Sequence, residues 1–240
     1  MTTDPTRPPE LGRPRKLAEQ IAAQVEQEIS ELGWPVGTLI GSEASFAEKY
    51  GASRAVVREA VRLLEQHGVV APRRGMGGGL AVARPEISAV LPAIAIYLDS
   101  EGVTPETLLE ARSAIELPAV ALAAERITDE RRERLLAAFE REQQELDDPH
   151  KYVLSHELHI LIAELSGNAA LKLFVAVLTR LSSEHAREGF AKVKRAKATD
   201  IGRDISHAHA RIVDAIAAGN APLAQRRMLA HLRAITPWLT

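Results

Sequence analysis

Residues 53–82, SRAVVREAVRLLEQHGVVAPRRGMGGGLAV, hold five arginines and two glutamates in a chain whose net charge is −2. From Ser53 onward, Arg54, Arg58 and Arg62 recur every four residues, so a helix places them along one edge. Val56, Val57, Ala60, Leu63 and Leu64 fall on the opposite face and predict a small core. Gly68 stops that helix, and VVAPRR and LAVA then read as two short strands joined by the glycine-rich tip GMGGG. A helix with a basic edge followed by a basic two-stranded wing is the layout of a winged helix-turn-helix DNA-binding domain. The expected DNA contacts are Ser53, Arg54, Arg58 and Arg62 on the helix, with Arg73, Arg74 and Gly77 on the wing. Gly77-Gly78-Gly79 is not a phosphate loop, because no Lys-Ser/Thr follows and the next residues are strand-like.

The rest of the chain limits what surrounds this unit. At 240 residues it accommodates two compact domains, and 46% hydrophobic content is enough for real cores. The slightly acidic balance means that nucleic-acid contact is local to the basic stretch. There are no cysteines, which excludes disulfides and thiol chemistry. Residues 1–16 lack the apolar segment of a secretion signal, so a cytoplasmic protein without a membrane anchor is expected.

Residues 1–15 carry four prolines and three arginines and read as a flexible arm. Leu17, Ile21, Val25, Ile29 and Leu32 then repeat with helical period up to Gly33, and GWPVGTLIG reads as an extended connector anchored by Trp34. Ser42 caps a short helix through Tyr50, although Ser45 stands where a full capping box has glutamate. Beyond Pro85 alanine- and leucine-rich helices take over, six or seven of them, punctuated by Thr104-Pro105, Asp148-Pro149, Gly167, Gly219 and Asn220. The fold class is therefore mainly α: a winged helix-turn-helix with a small β-wing at 16–84, a linker and first helix at 85–103, and an all-α bundle at 104–237.

Seven of the eight histidines lie beyond residue 149. His209 shares a helical face with Ile212 and Ile216, and His231 with Met228 and Ile235, so both imidazoles point into the bundle. Arg112 is flanked at helical spacing by Leu108, Leu109, Ile115 and Ala119 and also points inward. It is either the partner of Glu116 one turn away or a clamp for the carboxylate of a ligand.

The segment from Leu39 to Val82, above all SRAVVREAVRLLEQHGVV followed by RRGMGGGLAV, resembles the winged helix-turn-helix of the GntR transcriptional regulators. One departure concerns DNA reading: family members often carry arginine directly after Ser-Glu, and Ala44 stands there. EARSAIELPAVALAAER, LHILIAELSGNAAL and HARIVDAIAAGN resemble the FCD effector domain of the FadR-type subfamily. The resemblance implies a ligand-responsive regulator, most often a repressor, that works as a homodimer on a double-stranded operator. It also implies an effector pocket involving Arg112, Asn168, His159, His209 and His231, for a small anion of the carboxylate or acyl-CoA class.

Many FCD domains hold a divalent metal through an aspartate, a histidine one turn later, and two histidines from later helices. Those positions read Ser155, His159, His209 and His231, so the resemblance implies a zinc or nickel site of three histidines without the anionic ligand. Three histidines on a bundle also suit a metal-dependent hydrolase, the rival reading, but no catalytic grouping appears at motif spacing. A ligand-free architectural DNA-binding protein is a third reading, which leaves the inward histidines and Arg112 unexplained.

Overall fold

The computed structural model describes residues 12–239 except 74, 76–77, 149, 151 and 153–154. The chain divides into two compact units, Met1–Val90 and Leu91–Thr240.

In the first unit, helix α1 (Gly12–Glu31) packs Ala18, Ile21, Ala22, Val25 and Ile29 onto α3 (Arg54–Gln66), which contributes Val57, Ala60, Val61 and Leu64. The first helix thus begins inside the stretch expected as a flexible arm, 1–15, whose residues up to 11 lie outside the described ones. Helix α2 (Glu43–Tyr50) is closed at its start by Ser42. Ser45 takes over the role of the missing glutamate, because its hydroxyl accepts from the Ser42 backbone N–H at 2.8 Å and completes the capping box. Gly51 then turns the chain in the left-handed region at φ 58°, and Ser53 caps α3.

The wing is larger than two strands. Strand β1 (Leu39–Gly41), within the segment expected as a connector, pairs antiparallel with β3 (Gly79–Val82), which pairs in turn with β2 (Val70–Arg73). The order is β1–β3–β2. A Cβ at Gly79 would stand 2.4 Å from the Gly41 carbonyl oxygen, so glycine there is what allows β1 to close onto β3. Trp34 anchors the connector by donating its indole N–H to the Ala83 carbonyl at 2.9 Å, beside the core formed with α1.

The second unit contains seven α-helices among the described residues: α4 (Leu91–Ser100), α5 (Pro105–Glu125), α6 (Asp129–Gln144), α7 (Glu157–Leu165), α8 (Ala169–Ala191), α9 (Arg195–Ala217) and α10 (Ala221–Leu239). Thr104 caps α5 with Pro105 in its first turn, while Asn220 caps α10. The start expected at Asp148-Pro149 involves Pro149, which lies outside the described residues. The core brings together Val120 and Ala123 of α5, Leu135 of α6, Ile162 of α7, Ile212 and Ile216 of α9, and Met228 and Leu232 of α10. Helix α4, in the stretch 85–103 expected as a linker and first helix, belongs to this second unit.

Candidate DNA interface and candidate metal centre

Helix α3 presents Ser53, Arg54, Arg58 and Arg62 as exposed residues while burying its opposite face. The Ser53 hydroxyl accepts from the Val56 N–H at 3.4 Å, so its first role is to start the helix. The arginines are unequal. Arg62 is held by Glu59 through two hydrogen bonds of 3.0 and 2.7 Å, which keep the Glu59 carboxyl below its usual range. Arg58 has only a loose contact with Glu43 at 3.8 Å, and Arg54 has no ion pair among the described residues. Arg73 ends β2 and is exposed. Arg74 and Gly77 lie outside the described residues.

The bundle encloses a polar cluster in an otherwise apolar core. Arg112 and Glu116 come from α5, Glu142 from α6, His159 from α7, His209 from α9 and His231 from α10. All six are buried, with relative exposures between 2% and 9%. Charges removed from water at this depth are tolerated only with close partners. Arg112 Nε donates to Glu116 Oε1 at 2.7 Å, so the intrahelical pair anticipated as one of its two roles is present. The other Glu116 oxygen lies 2.5 Å from His159 Nδ1. Burial alone would raise the Glu116 carboxyl, but Arg112, and then His159, hold it at about 2.

The three imidazoles turn their Nε2 atoms toward one another. His209 Nε2 is 3.3 Å from His159 Nε2 and 3.2 Å from His231 Nε2. Two nitrogens each about 2.05 Å from a tetrahedral ion stand about 3.3 Å apart, so these separations match neighbouring corners of one coordination shell. The Nδ1 positions fix what those corners offer. Glu116 and Glu142 take up Nδ1 of His159 and His209, the latter at 2.8 Å, and a carboxylate there requires Nδ1–H. The facing Nε2 atoms of His159 and His209 are then both lone pairs, which repel unless a cation lies between them. A proton is a poor candidate, because burial lowers the pKa of His209 and His231 and keeps those rings neutral. The donor set fits a divalent metal held by His159, His209 and His231.

Ser155 lies just before α7 rather than within it. It lines a pocket of about 210 Å³ with Glu142, Glu145, Glu157 and Arg141, and a second of about 440 Å³ with His156, Arg180 and Arg187. His156 bonds the Ser183 hydroxyl, and burial pushes its imidazole down to about 3. Asn168 is exposed, and its Oδ1 accepts from the N–H groups of Ala170 and Leu171, so it caps the start of α8. Capping uses its acceptor. The residue missed was Glu142. Its signal was a helical one, since it follows Leu135 and Phe139 on the inward face of a charged helix.

Residues 17–79 match the family described as bacterial regulatory proteins of the gntR family, and residues 107–234 match the FCD domain. The HTH-type transcriptional regulator LutR of Bacillus subtilis (strain 168) is 33% identical over 198 residues, covering 82% of this chain and 89% of that protein. The HTH-type transcriptional repressor NanR of Cronobacter sakazakii (strain ATCC BAA-894) is 28% identical, covering 92% and 84%. In fold, the chain is similar to Streptococcus agalactiae GntR, with a TM-score of 0.67, 24% identity, and coverage of 92% of this chain and 99% of that one. Among the described residues, no helix is long and apolar enough to cross a membrane. The histidines and carboxylates therefore belong to a DNA-binding transcription regulator and not to a hydrolase: the chain is a member of the GntR family with an FCD domain.

Proposed function

We propose that this regulator is a homodimeric repressor of the FadR-type subfamily, released from its operator by a small anionic effector that binds beside a zinc or nickel ion in the FCD domain. The observation that carries the metal reading is that His209 Nε2 lies 3.2–3.3 Å from Nε2 of His159 and of His231, with Nδ1 of His159 and His209 tied to a buried carboxylate. His159, His209 and His231 would hold the ion, and Glu116 and Glu142 fix the tautomers of the first two. A bound ion supplies a Lewis-acidic position for an effector carboxylate.

The chain's own charges favour an anion. Arg112 is buried beside the histidines, and Arg180 and Arg187 line the pocket that Ser155 shares. The name of NanR as a repressor supports repression. Exposed Ile96 and Tyr97 on α4 and Leu173 and Phe174 on α8 support a dimer, since they leave apolar side chains for a second copy to cover. The stretch 85–103 would couple the effector domain to the DNA-binding domain of residues 16–84, with effector residues drawn from 104–237.

The test is elemental analysis of purified protein, followed by a thermal-shift screen of small carboxylates and acyl-CoAs with and without zinc or nickel. Stoichiometric uptake of metal and a carboxylate shift that depends on it are expected. No uptake after loading would overturn the metal reading.

A further inference from the structure

The three histidines differ at Nδ1. His159 is backed by Glu116 and His209 by Glu142, but His231 Nδ1 is buried with no hydrogen-bond partner among the described residues. A ring that turns its Nε2 lone pair to a shared cation carries its proton on Nδ1, and that N–H calls for an acceptor. The chain places none there.

Instead, it places positive charge nearby. His231 stands at the border of two faces of α10: Met228 and Leu232 face the core, while Leu223, Arg226, Arg227, Ala230 and Ala234 face a groove against Ala208 and Arg211 of α9. His231 also lines this groove, whose volume is about 400 Å³. Neither His159 nor His209 lines it, so it is separate from the face the triad shares. No ion pair with a carboxylate within 4.0 Å is formed by Arg211, Arg226 or Arg227 among the described residues. Arg227 donates one guanidinium N–H to the Arg211 backbone carbonyl, which ties the two walls together, and its Nε is buried without a partner. Three arginines line one concave surface, and two of its lining residues, Arg227 and His231, each keep a buried side-chain nitrogen without a hydrogen-bond partner among the described residues, which suits an oxyanion with several acceptor oxygens.

We propose that the groove between α9 and α10 is a second anion site, for inorganic phosphate or a short dicarboxylate held by Arg211, Arg226 and Arg227, and that filling it strengthens metal binding by giving His231 the acceptor that Glu116 and Glu142 give the other two rings. The coupling to metal rests on the metal reading above, whereas the anion site does not. Regulation would then have two inputs: an effector at the metal, and a common cellular anion that sets how firmly the metal is held.

The experiment uses inorganic phosphate and succinate as probes on the full chain. Calorimetry is run on metal-free wild type, on Arg211→Gln/Arg226→Gln, on Arg112→Lys and on Arg203→Gln, which removes an exposed charge of α9 outside the groove. The proposal expects at least one probe to bind wild type and Arg203→Gln alike, and to bind the double variant at least about 10-fold more weakly, as loss of two charge-assisted contacts requires. Which probe binds more tightly decides between phosphate and dicarboxylate. Loss of binding in Arg112→Lys with retention in the double variant would put the anion in the central pocket and overturn the proposal, as would binding of neither probe.

Zinc affinity is then measured by chelator competition with and without the bound probe. An increase of about 10- to 100-fold is expected in wild type and none in the double variant, the range typical of a partner behind a metal-bound histidine. Equal zinc affinities with and without the probe would overturn the coupling while leaving the anion site standing. No zinc binding in any protein would instead overturn the metal reading, and the calorimetry would still decide the groove.

Discussion

Glu142 lies 67 positions before His209, on a different helix, yet its carboxylate oxygen sits 2.8 Å from His209 Nδ1. Its second oxygen is buried without a partner among the described residues. Leaving a carboxylate half-satisfied at 9% exposure costs stability, which a purely structural core would avoid by using an apolar residue. The arrangement makes sense as a device that fixes the imidazole for a ligand on its other nitrogen.

Glu142→Gln tests this at nearly constant volume. The amide can present either an acceptor or a donor to Nδ1, so the tautomer is no longer dictated. Metal affinity by chelator competition should fall about 10- to 100-fold while the fold persists. An unchanged affinity would reduce Glu142 to a packing role.

The buried histidines make the metal-free protein sensitive to acid. Burial lowers the pKa of His156, His209 and His231 below the ordinary 6.5. The unfolded chain therefore binds protons that the folded one refuses as pH drops below 6.5. Their stabilising contribution is full above that value and is lost as pH falls toward their folded-state pKa values, by about 1.4 kcal/mol per pH unit for each histidine. Denaturant titrations of chelated protein at pH 7.5 and 5.5 should show a clear loss, smaller in His156→Gln. Stability that is flat across this interval would contradict the buried neutral rings.

On the DNA side, the arginines should separate by how free they are. Arg58→Ala should cost about 1–3 kcal/mol of operator binding and relax specificity at one position, because Arg58 is held only by a 3.8 Å contact with Glu43. Arg62→Ala should cost less, since Glu59 already takes Nε and one terminal nitrogen of its guanidinium. Arg73→Ala should weaken all sequences alike and reduce the salt slope by about one unit. Binding isotherms at several salt concentrations check the order. Arg62 emerging as the dominant contact would mean that the pair with Glu59 breaks on DNA.

The wing depends on Gly79. An added Cβ meets backbone rather than a movable side chain, at 2.4 Å from the Gly41 carbonyl oxygen. Gly79→Ala should therefore destabilise the first unit by about 1–3 kcal/mol through displacement of β1 from β3. Chemical denaturation monitored by Trp34, which is bonded to the residue that follows β3, reads this directly. No change would show that β1 pairing is dispensable.

What was legible in the chain followed local periodicity. The spacing of Arg54, Arg58 and Arg62 showed the edge of α3, because helical phase is carried by neighbours. Strand β1 was not legible: three residues, the last of them Gly41, carry no alternation, and their partner strand lies about forty positions away. In the bundle, His209 and His231 were visible as polar residues on apolar faces. Glu116 was visible only as the partner of Arg112, since its second oxygen meets a ring 43 positions away. Glu142 was masked by the charged residues around it in EREQQELDD.

The central claim is that the buried cluster of the FCD domain governs operator binding. A ligand does so only if it binds one state of the protein better than the other. The decisive measurement is an operator titration of metal-loaded protein with and without the carboxylate identified by thermal shift, in wild type and in Arg112→Lys. Lysine keeps a cation beside Glu116, whereas alanine would strand a buried carboxylate, yet it loses the planar fork that grips a carboxylate. The account predicts that the effector weakens wild-type binding by about 5- to 150-fold, and that Arg112→Lys binds DNA normally but responds much less. Equal operator affinity with and without effector in wild type, or an undiminished response in Arg112→Lys, would contradict it.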